Sequence, residues 1–482
     1  MPSNFLRVTV FTLLFLLAAA VNADGAIWYV KATAAHDGDG TKNRPFQSLE
    51  AAEAASGAGD TIYIVQTPSA VVLDGQIVLK PDQKLIGLGP DVTRVPEEAA
   101  AARITYSGGG GFGYPAGAVV QLSTNNEISN IHFKDFLFGG IVAIDVEFSG
   151  ANIHDNLFTG GEIVEGFNRF SVYLTSSSGN SAVTFRDNVV RDGVVLAGII
   201  VEHYADSSGT YLFEGNHFEN IGLRSHILWT FDTAFIHADI LDSSANNIGA
   251  LGEFSDFANS DSILMQLSNS STMDVFVDGY TYDNTGQFGG VSNTGLELFL
   301  VGEGFAPPAI WATNAEATLK INNSSFSNAV TEAIQLLNFG VDSVMDVQIT
   351  NTTVLDAKPR QFNAVIGVDG AAIAVAPSFV FSSGNQTSVK IENSDIIGST
   401  GYGFGVYDLG ATGFNSVIDL GGGDLASFGQ NRILNNAVGD VELLESNGIG
   451  RFNWWGGDSP VINIIGGGAF DTVPELLADP RP

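Results

Sequence analysis

Short runs of alternating apolar and polar residues recur along the chain, each followed by a turn and a second run opened by Phe, Val or Ile. The clearest copies are T-L-K-I-N-N-S-S-F-S-N at Thr318 to Asn328, V-Q-I-T-N-T-T-V at Val347 to Val354 and V-K-I-E-N-S-D-I at Val389 to Ile396. Looser copies start at Ile128, Ile153, Phe185 and Phe213, and weaker ones at Ile236 and Val275. Alternation at period 2 gives a strand with one buried face, and Asn tolerates the left-handed conformation that a tight corner needs. A corner that returns once per coil predicts a parallel β-solenoid whose coils stack at about 4.8 Å. The central turn residues are Asn130, Asn156, Asn188, Asn216, Asn323, Asn351 and Asn393. Their uneven spacing suits a solenoid that takes insertions at another turn, and does not suit the constant blades of a propeller. Stacked corner asparagines predict an amide ladder along the solenoid.

The ends of the chain read differently. Arg7, the apolar run Val8 to Ala20 and Val21-Asn22-Ala23 predict a secretory signal over residues 1–23, cleaved before Asp24. Residues 24–65 predict an entry module: a strand at Ile27 to Val30, a turn at His36 to Thr41, a helix through Ser48 to Ala55 and a strand at Asp60 to Val65. An open solenoid end is an exposed sheet edge, so a helix laid across it is expected. The solenoid is expected over 66–453 and a closing segment over 454–482, with Trp454 and Trp455 as a plug at the end of the core.

The order Y-V, D-G-D-G-T, R-P-F-Q-S-L-E-A-A and G-A-G-D-T-I-Y-I near the start resembles the N-terminal cap of the pectin-lyase-like superfamily. Asn453-Trp454-Trp455-Gly456-Gly457-Asp458-Ser459-Pro460 near the end is similar to the closing segment of its secreted bacterial members. The resemblance implies an all-β, single-stranded right-handed parallel β-helix with an N-terminal capping helix. It also implies that substrate lies on the outer face of one sheet. It does not choose among polysaccharide lyases, hydrolases, epimerases and surface proteins.

Charge narrows that choice. Lys plus Arg number 20 against 53 Asp plus Glu, a formal charge of −33. Nucleic acid is excluded as a natural partner, because phosphate neutralisation needs cations, and an unassisted polyanionic glycan is disfavoured. No cysteine is present, so no disulfide or thiol chemistry is available. Sequons occur at Asn269, Asn322, Asn323, Asn351 and Asn385, yet two are proposed corner residues, and an unglycosylated bacterial chain is the simpler expectation.

The strand expected to carry the functional face runs through Gly140–Asp145, Gly198–His203, His226–Thr230, Gly295–Phe299, Ala333–Asn338, Ala364–Asp369 and Gly403–Asp408. Counting alternation from the leading residue sends Ile144, Ile200, Leu228, Phe299, Leu337, Val368 and Tyr407 outward, with Glu202, Thr230, Glu297 and Gln335 as polar members and no Lys or Arg. Such an apolar stripe needs covering by the chain's own insertions or by a partner. Lyase chemistry needs a base for the α-proton and a cation for the developing dianion. Only the coils between Arg169 and His226 hold both, and the candidate catalytic set is Arg186, Glu202, His203, Arg224 and His226; the alternative is that these are solvated turn residues and strand-end histidines. The last strand slot holds Asn338, Asp369 and Asp408, a stack of oxygens that calcium would bridge. The resulting expectation is an exported monomer that binds an extracellular or cell-surface glycan. The alternatives are a polysaccharide-active enzyme and a structural surface protein or adhesin.

Overall fold

In the computed structural model the described residues are 25–94, 99–108, 118–144, 146–160, 170–193, 197–249, 259–285, 292–301, 311–359, 370–379, 382–410, 415–457 and 459–481. The expected signal sequence lies outside them. One chain winds through three sheets in which every pairing between named strands is parallel: sheet 1 with fifteen strands, sheet 2 with thirteen and sheet 3 with twelve. From Glu127 to Asp408 each coil visits sheet 1, turns through two residues into a three-residue strand of sheet 3, then crosses to sheet 2. This is a parallel β-helix.

Sheet 1 shows why the corner phrase was visible. Its strands at Ser208–Glu214, Phe235–Leu241 and Thr272–Asp278 alternate strictly between buried positions and half-buried or exposed ones, and stack in register. The two-residue corner after them has distinct slots. The first is left-handed and half-buried or exposed, filled by Asn130, Asp155, Asp187, Gly215, Asp242, Gly279, Asn323, Asn351 and Asn393. The second is buried, filled by Asn156, Asn188, Asn216, Ser243, Ser324 and Ser394. The turn asparagines of the sequence therefore form two ladders offset by one residue. In the inner one, Asn188 Nδ2 donates to Ile153 O at 2.9 Å while its Oδ1 accepts from Asn156 N at 3.0 Å. Asn216 Oδ1 accepts from Asn188 N at 3.0 Å, and Ser243 Oγ continues the run. Each inner residue thus satisfies backbone groups on neighbouring coils that would otherwise be buried unpaired.

Sheet 2 carries a kink that the alternation rule misses. Gly140 and Ile141 both face the core, as do Gly198 and Ile199. A Cβ on Gly140 would lie 2.9 Å from the Phe158 ring, and one on Gly198 would lie 2.5 Å from the Phe218 ring, while Ile141 and Ile199 are fully buried. Ser225, Ser262, Gly295, Ala333, Ala372 and Gly403 hold the same small-residue slot one place before the paired residues His226, Ile263, Leu296, Ile334, Ile373 and Phe404. Two consecutive inward residues leave no room for a large first one.

The first coil is covered by helix α1, Leu49–Ala55, whose N-cap Ser48 accepts from Ala51 N at 3.3 Å and which buries Leu49 and Ala52. The strand Ile27–Val30 pairs with Thr61–Val65, so the entry strand is itself the first of sheet 1. Asp60 fixes the junction by accepting from Ala26 N, Trp28 Nε1 and Gly57 N, and these bonds hold its carboxyl below the ordinary value although burial opposes them. The Asp37–Gly40 turn is held by Arg44, which reaches both Asp37 and Asp39 at 3.3 Å. At the other end Trp455 is buried in the core, as a plug would be.

Candidate functional site

With the kink in place, the outward positions of sheet 2 form three rows. The first is Phe170, Ala197, Arg224, Asp261, Thr294, Glu332 and Ala371, and the second is Tyr173, Ile200, Ile227, Leu264, Glu297, Gln335 and Ala374. The third is Thr175, Glu202, Trp229, Gln266, Phe299, Leu337 and Ala376. Several residues just past the strands fold back over this face. Phe231 stacks on Tyr204 at 4.7 Å and meets Trp229 edge-on, and Phe339 lies against Phe299 and Phe379. The apolar stripe is thus covered in part by the chain itself.

Alternation in the strand Arg224–Thr230 starts from the inward pair Ser225–His226, so Leu228 and Thr230 face inward and not outward as expected: Leu228 is in the core, and Thr230 donates to Ser271 Oγ at 2.9 Å beneath the sheet. The outer face also carries a cation, Arg224. The coil expected at Ala364–Asp369 instead pairs through Ala371–Ser378, with Ile373 beside Ile334 and Phe404. Val368 and Asp369 lie outside the described residues.

The five catalytic candidates do not converge. Arg186 ends a strand of sheet 1 and pairs with Asp187 at 3.3 Å. His203 is fully buried, with Nδ1 to Ser207 Oγ at 2.9 Å and Nε2 to the Tyr211 hydroxyl at 2.6 Å, and burial lowers its pKa to about 4. His226 lies in the core edge-on to Phe213 and Phe218, with its pKa pushed down by burial to about 3. Both rings are neutral core groups. Glu202 and Arg224 do reach the outer face, in different rows.

Each of those two heads its own constellation. Glu202 is 6% exposed and accepts from the Tyr173 hydroxyl at 3.0 Å and the Tyr204 hydroxyl at 2.8 Å. Both donate to Oε2, which leaves Oε1 for another donor. Trp229 is its register partner, and Phe138 packs edge-on against Tyr173 at 6.0 Å. Burial raises the Glu202 carboxyl above its ordinary value, and the two phenols only partly offset that. Arg224 Nε contacts Asp261 Oδ2 at 3.3 Å, and Glu297 lies on the next coil. Burial and the Asp261 charge hold Glu297 well above the usual carboxylate range, while Arg224 works against burial at Asp261. Asp261 Oδ1 and Glu297 Oε2 are buried without a donor from the protein. Two adjacent buried carboxyls beside a single guanidinium are stable when a proton is shared. Spacings of 37 and 36 residues join Arg224, Asp261 and Glu297, and no local motif announces them.

The expected oxygen stack is arranged differently. Asn338 Nδ2 donates to Gln386 O and Thr387 Oγ1, each at 3.0 Å, whereas Asp408 accepts from Ser378 Oγ and from Gly410 N at 3.0 Å. The coil between them presents Ser378 opposite Asp408. Among the described residues no group of three or more Asp, Glu or His is arranged to hold a metal ion.

No family profile matches the chain and no curated protein is a recognisable relative. Among solved structures it is similar to the A-module of a mannuronan C-5 epimerase from Azotobacter vinelandii, at 13% identity and a TM-score of 0.38 over 94% of this chain and 98% of that one. It is also similar to a DFA-IIIase from Arthrobacter chlorophenolicus A6, at 12% identity and 0.37 over 89% and 92%. A GH136 lacto-N-biosidase from Eubacterium ramulus gives 11% identity and 0.41 over 81% and 66%. Three all-parallel sheets wound from one chain, with a helix across the first coil, make this a parallel β-helix protein.

Proposed function

We propose that this is an exported carbohydrate-binding β-helix whose glycan site is the outer face of sheet 2 around Glu202. The observation that carries the reading is a carboxyl with one free oxygen set among aromatic rings, Tyr173, Tyr204 and Trp229, on a sheet face. Rings of this kind stack on the apolar faces of sugars, and a convergent acceptor orients the hydroxyls. The test is a glycan panel screened with the purified mature chain, with product detection by mass spectrometry. Retention of a glycan that Trp229→Ala weakens about tenfold supports the reading; no retained glycan, or an unaffected variant, sinks it.

A second reading, catalysis, is favoured by the Asp261–Glu297 carboxyls, since glycoside cleavage uses one protonated and one ionised carboxyl. In that case the panel yields shortened products, and Glu297→Gln abolishes them while binding persists. The calcium expectation at Asn338, Asp369 and Asp408 is tested by calorimetry with calcium alone.

A further inference from the structure

The face around Glu202 has a sign as well as a shape. Of the outward positions described along sheet 2, only Arg224 is basic, and it is engaged by Asp261. The chain as a whole carries −33. A uronic-acid chain would bring carboxylates to a carboxylate within a negative field. A neutral sugar would use the rings and Oε1 but leave the field unused. An amino sugar with a free ammonium uses the carboxyl and the field together: Oε1 accepts from the ammonium, and the surrounding charge steers it. The two phenols, held by their bonds to Oε2, fix both the carboxyl and their own rings before any ligand arrives.

We infer that the glycan bound at this site is an amino-sugar polymer with free ammonium groups. This rests on the carbohydrate reading above. Such a ligand also stabilises the ionised carboxyl against the burial that opposes it, so binding below neutrality releases a proton.

The experiment is calorimetry with three oligosaccharides of equal length: a glucosamine oligomer, its fully N-acetylated form and a glucose oligomer, with spermine as a sugar-free polycation. The glucosamine oligomer is expected to bind at least about tenfold more tightly than the other two sugars, weakening with salt. Near pH 5, titrations in buffers of different ionisation enthalpy are expected to show proton release. Glu202→Gln, which keeps the shape of the side chain, is expected to remove the preference and the proton release together, with an unchanged melting temperature as the folding control. Equal binding of all three sugars overturns the ammonium inference and leaves the carbohydrate reading standing. Spermine bound as tightly as the glucosamine oligomer, or no oligomer bound at all, overturns both.

Discussion

Two ion pairs on two sheets of the same helix behave as different objects. On sheet 1, Lys84 Nζ meets Glu127 Oε2 at 2.7 Å with the lysine side chain 49% exposed. On sheet 2, Arg224 meets Asp261 at 3.3 Å with the arginine 11% and the aspartate 0% exposed. Sheet 1 has one buried face and one wet face, so its outer charges are solvated and its pattern is strict alternation. Sheet 2 is buried on both sides over much of its length, as the unbroken burial of Ala197–His203 and Tyr402–Asp408 shows. A charge on that outer face must find partners there. The sheet that reads cleanly is the scaffold, and the sheet that breaks the rules carries the unusual chemistry.

The sharpest way to test that contrast is to delete one cation from each sheet. Arg224→Met leaves Asp261 buried without its guanidinium and is expected to cost about 3 kcal/mol. Lys84→Met removes an exposed pair and is expected to cost less than about 0.5 kcal/mol. Adding Asp261→Asn to Arg224→Met should recover most of the loss, because it removes the stranded charge. Denaturant titrations of the four proteins decide the matter. Equal small effects at both sites would mean that the outer face of sheet 2 is wetter than its geometry shows.

How much of this was readable follows from the same contrast. The corner phrase exposed the solenoid because sheet 1 repeats in register and its corner needs a left-handed residue in every coil, as at Asn323, Asn351 and Asn393. The capping helix was readable from Ser48 and the apolar spacing behind it. The site was not. Alternation is a local rule, and the double inward step at Ser225–His226 reverses it without any glycine to mark the place. His226 therefore looked like a strand-end base and is a core residue packed among aromatic rings. Asp261 and Glu297 meet only because coils stack, a long-range fact that no spacing in the chain encodes.

A second prediction uses pH to separate the sheet-2 cluster from the rest. Glu297 has a raised pKa in the folded state, so the native protein holds a proton that the unfolded chain releases above its ordinary value near 4.5. Its stabilising contribution is complete below that value and is lost as pH rises toward the folded pKa. His203 and His226 act in the opposite sense. Their folded values of about 4 and about 3 lie below the ordinary 6.5, so the stability they permit is present above 6.5 and is lost as pH falls. Stability should therefore decline on both sides of a weakly acidic optimum. Glu297→Gln should flatten the alkaline limb and leave the acid limb as it was. Melting curves across the range give both limbs. An alkaline limb unchanged by the substitution would show that Glu297 is ionised in the native state.

A last, small effect concerns a corner of the scaffold, and it turns on backbone shape more than on contact. Asn351 is exposed, left-handed at φ 51°, and its Nδ2 donates to Asn322 Oδ1 at a long 3.3 Å. It also accepts from Asn393 Nδ2, on the outside of the coil, where water replaces a lost partner at little cost. Its neighbour slot holds the buried groups, such as Thr352 N donating to Ser394 Oγ at 3.1 Å. Asn351→Ala should therefore cost only about 1 kcal/mol, the penalty for placing a Cβ without a compensating polar group in the left-handed region. Asn351→Gly separates the causes, because glycine takes that conformation freely yet also has no side-chain amide. If conformation dominates, the glycine variant melts close to the parent and above the alanine variant. If both variants fall equally, the outer amide ladder contributes in its own right, and sheet 1 depends on its wet face more than its burial pattern implies.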